Sequence, residues 1–395
     1  MTGAGNRDRL ALAALITAGV VASMGASFAP FMVGALVEHA GLSIKQAGAV
    51  ASVEMAGAMV GAFAMFHVVN RLERRSLILG GALLFAIGNL AAAFVDGFQA
   101  ILAVRALCGF VSAVVVATVA ASIATREGAE RAYGLFFLTM IISGALCSLV
   151  IPAIVSAGGA RGFFFALSGV ALLSSAGVIF IPASKASVAQ STSTAGSIFD
   201  ARQLQALACM FLWFVAFGAT WTFVERLGAG IPLTAAAVGL ALAISMGGGA
   251  SGALAASLVG GRYGAFKPIA LAAAASALAG AAMIESNSLA TFAIAVLVYK
   301  FGFSLAMPYI SAIFAGIDKS GRLMTLGTLM QAAGLAVGPA VGSALVSDET
   351  IAPAIYFSIV IGIAAGLIGV RLARFVDMGV AAPSKVVGAG EPLHG

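Results

Sequence analysis

Twelve apolar stretches, each near or above the length needed to cross a bilayer, fill nearly all of this 395-residue chain. They run over 10–36, 44–69, 76–95, 98–124, 132–157, 163–182, 201–224, 234–259, 268–284, 289–315, 323–347 and 351–370. A tilted membrane helix needs roughly 17–25 residues. A β-barrel would instead show short segments of alternating polarity. The expected fold is therefore an all-α integral membrane protein with twelve transmembrane helices. With 61% hydrophobic and only 9% charged residues, the chain departs from soluble domains, where about a quarter of residues are charged. A soluble helical repeat would need polar outer faces, and segments such as 271–283 and 359–370 have none.

The net charge of +6 does not point to nucleic acid, because the basic residues sit in short connectors between spans. Alternate connectors differ sharply. One set, together with the termini, holds 16 of the 21 Lys and Arg residues, among them Arg7, Arg9, Arg71, Arg74, Arg75, Arg126, Arg131, Lys185, Arg262, Lys267 and Arg371. The other set holds Lys45, Arg161 and Arg226, and the remaining two cations, Arg105 and Lys300, lie inside spans. By the positive-inside rule the first set is cytoplasmic, which places both termini inside and makes the number of spans even. The apolar run after Arg9 is too long for a signal-peptide core and is expected to be kept as the first span. Cys108, Cys147 and Cys209 all fall within spans, so neither a disulfide framework nor a metal site is expected.

The longest polar connector, 183–200, reads as a flexible cytoplasmic linker between a first half at 1–182 and a second at 201–376, with a tail at 377–395. Internal matches support two pseudo-symmetric six-helix halves. Gly57 and Gly61 match Gly248 and Gly252 at an offset of 248 − 57 = 191, and Arg71 matches Arg262 at the same offset. Gly144, Ser148 and Pro152 match Gly334, Gly338 and Gly342 at 334 − 144 = 190, and Arg105 matches Lys300 at a looser 300 − 105 = 195. Small residues at every fourth position let helix backbones approach where lipid supplies no hydrophobic drive. Such ridges serve packing, and they also let helices slide or rock.

These features resemble the major facilitator superfamily, whose members have twelve helices in two halves joined by a cytoplasmic linker. Its G-x-x-x-D-R-x-G-R-R loop after helix 2 is matched in part by Phe66-His67-Val68-Val69-Asn70-Arg71-Leu72-Glu73-Arg74-Arg75, with Asn70 in place of the acid. The second copy, Gly261-Arg262-Tyr263-Gly264-Ala265-Phe266-Lys267, also lacks the acid. The resemblance implies a cytoplasmic gate at Arg71, Arg74, Arg75, Arg262 and Lys267, without its usual charge pairing. Arg105-Ala106-Leu107-Cys108-Gly109 fits the family's R-x-x-x-G in helix 4. The G-P-x-x-G pattern common in helix 5 of antiporters stands here in helix 11, as Gly338, Pro339 and Gly342. The resemblance further implies that span 2 packs through Gly57 and Gly61 on span 11 through Gly334 and Gly338.

An ionisable group in mid-membrane costs roughly 2.5–3.5 kcal/mol on insertion scales and so marks a functional candidate. Glu54, Arg105 and Lys300 qualify. One reading has Glu54 neutralise a cation in a pair that only tethers helices. The other sets these groups around a central cavity, with Arg105 and Lys300 on opposite walls binding an anionic substrate beside Tyr299 and Tyr309. Glu54 would then carry the coupling proton, since a carboxyl can exchange a proton and a guanidinium cannot. Trp221 and Glu225 fit either an interfacial belt or a substrate and gate role.

The resulting expectation is a secondary transporter of the inner membrane, working by alternating access, proton-coupled, for a small organic anion such as a carboxylate. The alternatives are proton-coupled efflux of amphipathic compounds, or a transport-inactive receptor or scaffold. No nucleotide-binding motif, cofactor site or catalytic cluster is evident in the sequence. The expected partners are substrate, protons and lipid, with the protein a monomer and not an enzyme.

Overall fold

A computed structural model describes residues 3–68, 72–126, 128–183, 200–318 and 322–381. The linker at 184–199, the tail beyond 381 and Arg71 lie outside the described residues. Among those described, all regular structure is helical: α1 (Gly3–Ser27), α2 (Ala29–His39), α3 (Ile44–Val68), α4 (Arg74–Ala92), α5 (Phe98–Ala124), α6 (Ala129–Gly177), α7 (Ala201–Ala229), α8 (Ala235–Val259), α9 (Phe266–Ile284), α10 (Leu289–Ile317), α11 (Arg322–Leu345) and α12 (Ala352–Ala381).

The helices depart from the expected spans at two places, each for a backbone reason. The first span is broken at Phe28, because Pro30 opens α2 and a proline is favoured in the first turn of a helix and disfavoured in its interior. Spans 5 and 6 form the continuous run α6, whose 49 residues would extend about 74 Å, far beyond a 30 Å hydrocarbon core. The run divides at Gly159, where φ 59° and ψ −154° are accessible to glycine and strained for any other residue. α1 with α2 makes one span and α6 makes two, so the twelve helices give twelve crossings.

The molecule is apolar on the outside and carries polar groups within. Leu173, Leu258, Leu278 and Leu367 are exposed, whereas Glu54, Asn89, Arg105, Thr118, Thr220 and Ser245 are buried. That distribution suits a lipid surround. Several buried hydroxyls bond carbonyls of their own helix, as in Thr118 Oγ1 to Val114 O at 2.7 Å and Ser148 Oγ to Gly144 O at 2.8 Å, and others cross to a neighbouring helix, as in Ser112 Oγ to Ala22 O at 2.7 Å.

The repeat is legible in the packing. A Cβ on Gly57 would stand 3.0 Å from the Ala106 carbonyl carbon, and one on Gly61 3.1 Å from Phe110 Cα. Gly248 meets Leu297 and Gly252 meets Phe301 in the same way, at 2.9 and 3.1 Å. The partners are also 191 positions apart (297 − 106 and 301 − 110), so α3 on α5 repeats as α8 on α10. At this offset Arg105 corresponds to Val296, and Lys300 to Gly109 (300 − 191), which corrects the expected pairing of Arg105 with Lys300.

The expected contact of Gly57 and Gly61 with Gly334 and Gly338 is not formed. Gly334, Gly338 and Gly342 face α7 within the second half, at Phe214, Val215 and Phe223, and Pro339 lies against Gly218. Spans 2 and 11 do touch, through other positions: Ser52 Oγ donates to Ala336 O at 2.8 Å, and Gly48 lies against Ser343. Each helix has two small-residue faces, and the more crowded one serves its own half.

These close approaches predict a graded response. Gly57→Leu or Gly248→Leu drives a side chain into a facing carbonyl and should destabilise by about 1–3 kcal/mol, the usual range for overpacking. Gly80→Leu, where nothing lies within 4 Å, should not. Thermal melts of the detergent-solubilised variants decide the point, and equal melting temperatures for all three would refute close packing.

Contacts between the halves gather at one end, here called distal, opposite the end where the chain passes from α6 to α7. Arg226 pairs with Glu38, Ile44 N donates to Asp348 Oδ1 at 3.0 Å, and Gly239 lies against Ser148 and Pro152. At the linker end the ties run within a half: Arg126 with Asp8, Arg74 with Thr125, and Asp377 with Ala265.

Candidate functional site

Glu54 and Arg105 do not stand on the walls of a cavity. Arg105 donates through Nη2 to Glu54 Oε1, through Nε to Glu54 Oε2 at 3.2 Å and through Nη1 to Asn89 Oδ1 at 2.8 Å. Asn89 in turn donates to Phe85 O at 2.8 Å, and the Phe164 ring lies 5.5 Å from the guanidinium carbon. Arg105 is 0% exposed and Glu54 1%. Gly25 of α1 lies against this pair, and a Cβ on Gly109 would stand 2.7 Å from the Glu54 carbonyl carbon, so three helix backbones close around it. Every guanidinium nitrogen has a partner inside the first half. The geometry corrects the expectation that Arg105 faces Lys300 across the substrate path.

Lys300 is placed differently. Its Nζ sits 4.0 Å from the Trp221 ring centroid and 5.4 Å from that of Phe217, and the residue is half-buried. Phe217 and Trp221 lie one turn apart on α7, and Tyr299 and Phe303 one turn apart on α10. Phe217 is close to parallel with all three, at centroid separations of 5.8 Å to Trp221, 6.2 Å to Tyr299 and 3.9 Å to Phe303. Tyr299 donates to Ala216 O at 3.2 Å, which fixes the shelf to α7. Trp221 Nε1 donates to Ser27 O at 3.3 Å, so the shelf reaches the break between α1 and α2 in the opposite half. Among the described residues no acidic group forms an ion pair with Lys300. An ammonium over aromatic faces is attracted by the rings without being neutralised by them.

Tyr309 stands apart from this cluster. Its hydroxyl donates to Gly260 O at 3.0 Å, bonding the end of α8 near the linker end. Glu225 lies at the distal interface against Gly34 and lines a cavity of about 320 Å³ with Phe31, Glu38 and Pro152. Of the expected gate residues, Arg74 is buried and donates to Thr125 Oγ1 at 2.9 Å, Arg75 is half-buried, and Arg262 and Lys267 are exposed. The acid missing from the second loop is supplied from α12: Asp377 accepts from the amides of Ala265 at 3.1 Å and Phe266 at 3.4 Å. Sequence reasoning missed Asp377, Phe217 and Phe303. The four-residue spacing of the aromatic pairs signalled the last two, whereas nothing local ties position 377 to 265.

An all-helical multi-pass membrane protein whose halves meet mainly at one end, with an isolated cation among aromatics beside their interface, belongs to the class of alternating-access carriers by its architecture. Residues 15–315 match the family profile of the Major Facilitator Superfamily. The solved structures it resembles include a variant of the nucleoside transporter NupG, at TM-score 0.75 and 13% identity, covering 93% of this chain and 99% of that one. A D-xylose–proton symporter is similar at TM-score 0.72 and 14% identity, covering 92% and 96%. A bacterial homologue of the human lysosomal transporter Spinster, inward-facing and unoccupied, is similar at 0.70 and 12%, covering 95% and 97%. A comparison with curated proteins gives no match. The chain belongs to the Major Facilitator Superfamily and is a secondary transporter of the membrane.

Proposed function

We propose that this transporter moves a small organic anion, such as a carboxylate, in step with protons, and that Lys300 is its recognition charge. The observation that carries the reading is the contrast between the two intramembrane cations. Arg105 is neutralised by Glu54 within the first half, while Lys300 rests on the Trp221 and Phe217 rings and pairs with no acid among the described residues. A fixed positive charge in a low-dielectric setting stabilises an anion far more than it would in water. The basic asymmetry of the connectors supports a cytoplasmic linker end, hence both termini inside and, in a bacterial cell, the inner membrane. The contacts at the distal end then fit a state closed to the outside. One structural relative is a proton symporter, which favours proton coupling here without fixing the substrate.

The shelf of Phe217, Trp221, Tyr299 and Phe303 supports a second reading, amphipathic compounds bearing a ring, exported with proton exchange. A thermal-shift screen separates the two, because a ligand that binds only the folded state stabilises it by mass action, about 2.7 kcal/mol at a hundredfold excess over Kd. Purified protein should be stabilised by members of an aliphatic and aromatic carboxylate panel, and Lys300→Gln should lose that response. Stabilisation by cationic or neutral amphiphiles alone, unchanged in Lys300→Gln, would replace the anion reading with the second.

A further inference from the structure

Glu225 lies one turn beyond Trp221 on α7, where the two halves meet at the distal end. Its carboxyl rests directly on the backbone of Gly34 in α2: a Cβ there would stand 2.6 Å from Cδ and 2.9 Å from Oε1. Glycine is what permits the approach. The two positions are themselves equivalent in the repeat (225 − 34 = 191), so their contact sits where the halves' related helices converge. Glu225 Oε2 is buried and has no hydrogen-bond partner among the described residues. The surrounding cavity, about 320 Å³, is otherwise lined by α2, α6 and the first residue of α8. The charged or titratable groups facing it are Glu38 and His39 of α2 and the adjoining Arg226 of α7; α6 contributes Ser156 and apolar groups, and α8 contributes Ala235. Arg226 is paired with Glu38, and His39 Nε2 lies 3.9 Å from Glu38 Oε2, so both side chains are directed to Glu38.

We infer that Glu225 is the proton-binding group of this transporter, holding a proton while the distal end is shut and giving it up when α2 and α7 part. The inference rests on the proton-coupled reading above and moves the proton site from Glu54, which is bonded to Arg105, to Glu225. A carboxylate with one oxygen buried against helix backbone and left without a donor is costly, and uptake of one proton removes the charge. Once Gly34 withdraws, water reaches Oε2 as well and hydrates the ionised form. The shut state therefore holds one proton more than the open state. By linkage, the ratio of shut to open falls about tenfold per pH unit over the window in which only the shut state is protonated. Low pH favours the shut distal end, and rising pH opens it.

Double electron–electron resonance tests this without any substrate. Spin labels are placed at Gln99→Cys and Asn287→Cys, exposed positions on the two halves at the distal end, in nanodisc-embedded protein whose Cys108, Cys147 and Cys209 are replaced. The parent should pass from a short to a long distance population as pH rises. Glu225→Gln should hold the short population throughout, His39→Gln should titrate as the parent does, and Gly34→Ala should favour the long population at every pH. A parent insensitive to pH, a Glu225→Gln protein that still titrates, or a response lost with His39→Gln would overturn the assignment. Failure of anion recognition at Lys300 would leave these distances unaffected, so loss of the anion reading is distinguishable from loss of the proton site.

Discussion

Arg105→Ala is expected to destabilise the first half by about 3–5 kcal/mol, the penalty for breaking a buried ion pair from one side. The change strips Glu54 of both its donors and leaves Asn89 Oδ1 without its partner, all in a site from which water is excluded. In detergent the variant should melt well below the parent and give little monodisperse protein. Replacing the pair together, as Glu54→Leu with Arg105→Met, should recover most of the loss, because apolar residues of similar volume carry no desolvation penalty. A double variant that folds and still transports would define the pair as a tether of α3 and α5. If Arg105→Ala melted like the parent but lost ligand binding, the pair would instead belong to the substrate path.

Lys300→Gln should leave stability nearly unchanged and abolish high-affinity recognition. Among the described residues no acid loses a partner when this charge is removed, so the penalty that dominates at Arg105 does not arise. A hydrogen bond to a charged group contributes about 1.5–3 kcal/mol, which corresponds to a loss of roughly tenfold to 150-fold in affinity. Proteoliposome uptake of whichever carboxylate stabilises the parent reads this directly. Lys300→Arg should bind more weakly than the parent but better than Lys300→Gln, because the planar guanidinium keeps the charge and stacks differently on Trp221. Parent-like uptake by Lys300→Gln would end the assignment of Lys300.

The all-helical membrane fold was legible because each span is specified locally, by a run of apolar residues and by basic connectors that need no partner to be recognised. The 191-residue repeat was legible for the same reason: the Gly57–Gly61 and Gly248–Gly252 ridges recur as sequence, and the structure places them on equivalent neighbours. Their neighbours were not legible. A stripe of small residues states that some backbone comes close, but both α3 and α11 carry a second small face, at Ser52 and at Ala336, and it is this one that crosses between halves.

What the sequence by itself determined is therefore what hydrophobic length, charge placement and residue spacing can specify: twelve crossings, two related halves, and three ionisable groups at membrane depth. Tertiary structure alone decided what those groups do. Glu54 and Arg105 are 51 positions apart, and nothing between them states that α3 and α5 set them within bonding distance. Lys300, like Arg105, is a lone cation within an apolar span in sequence, yet it meets aromatic rings of α7 rather than an acid among the described residues. The acid at Asp377 closes a loop 112 positions away. Apolar patterning acts on each segment separately, whereas the partner of a buried charge is fixed only when helices distant in the chain pack side by side.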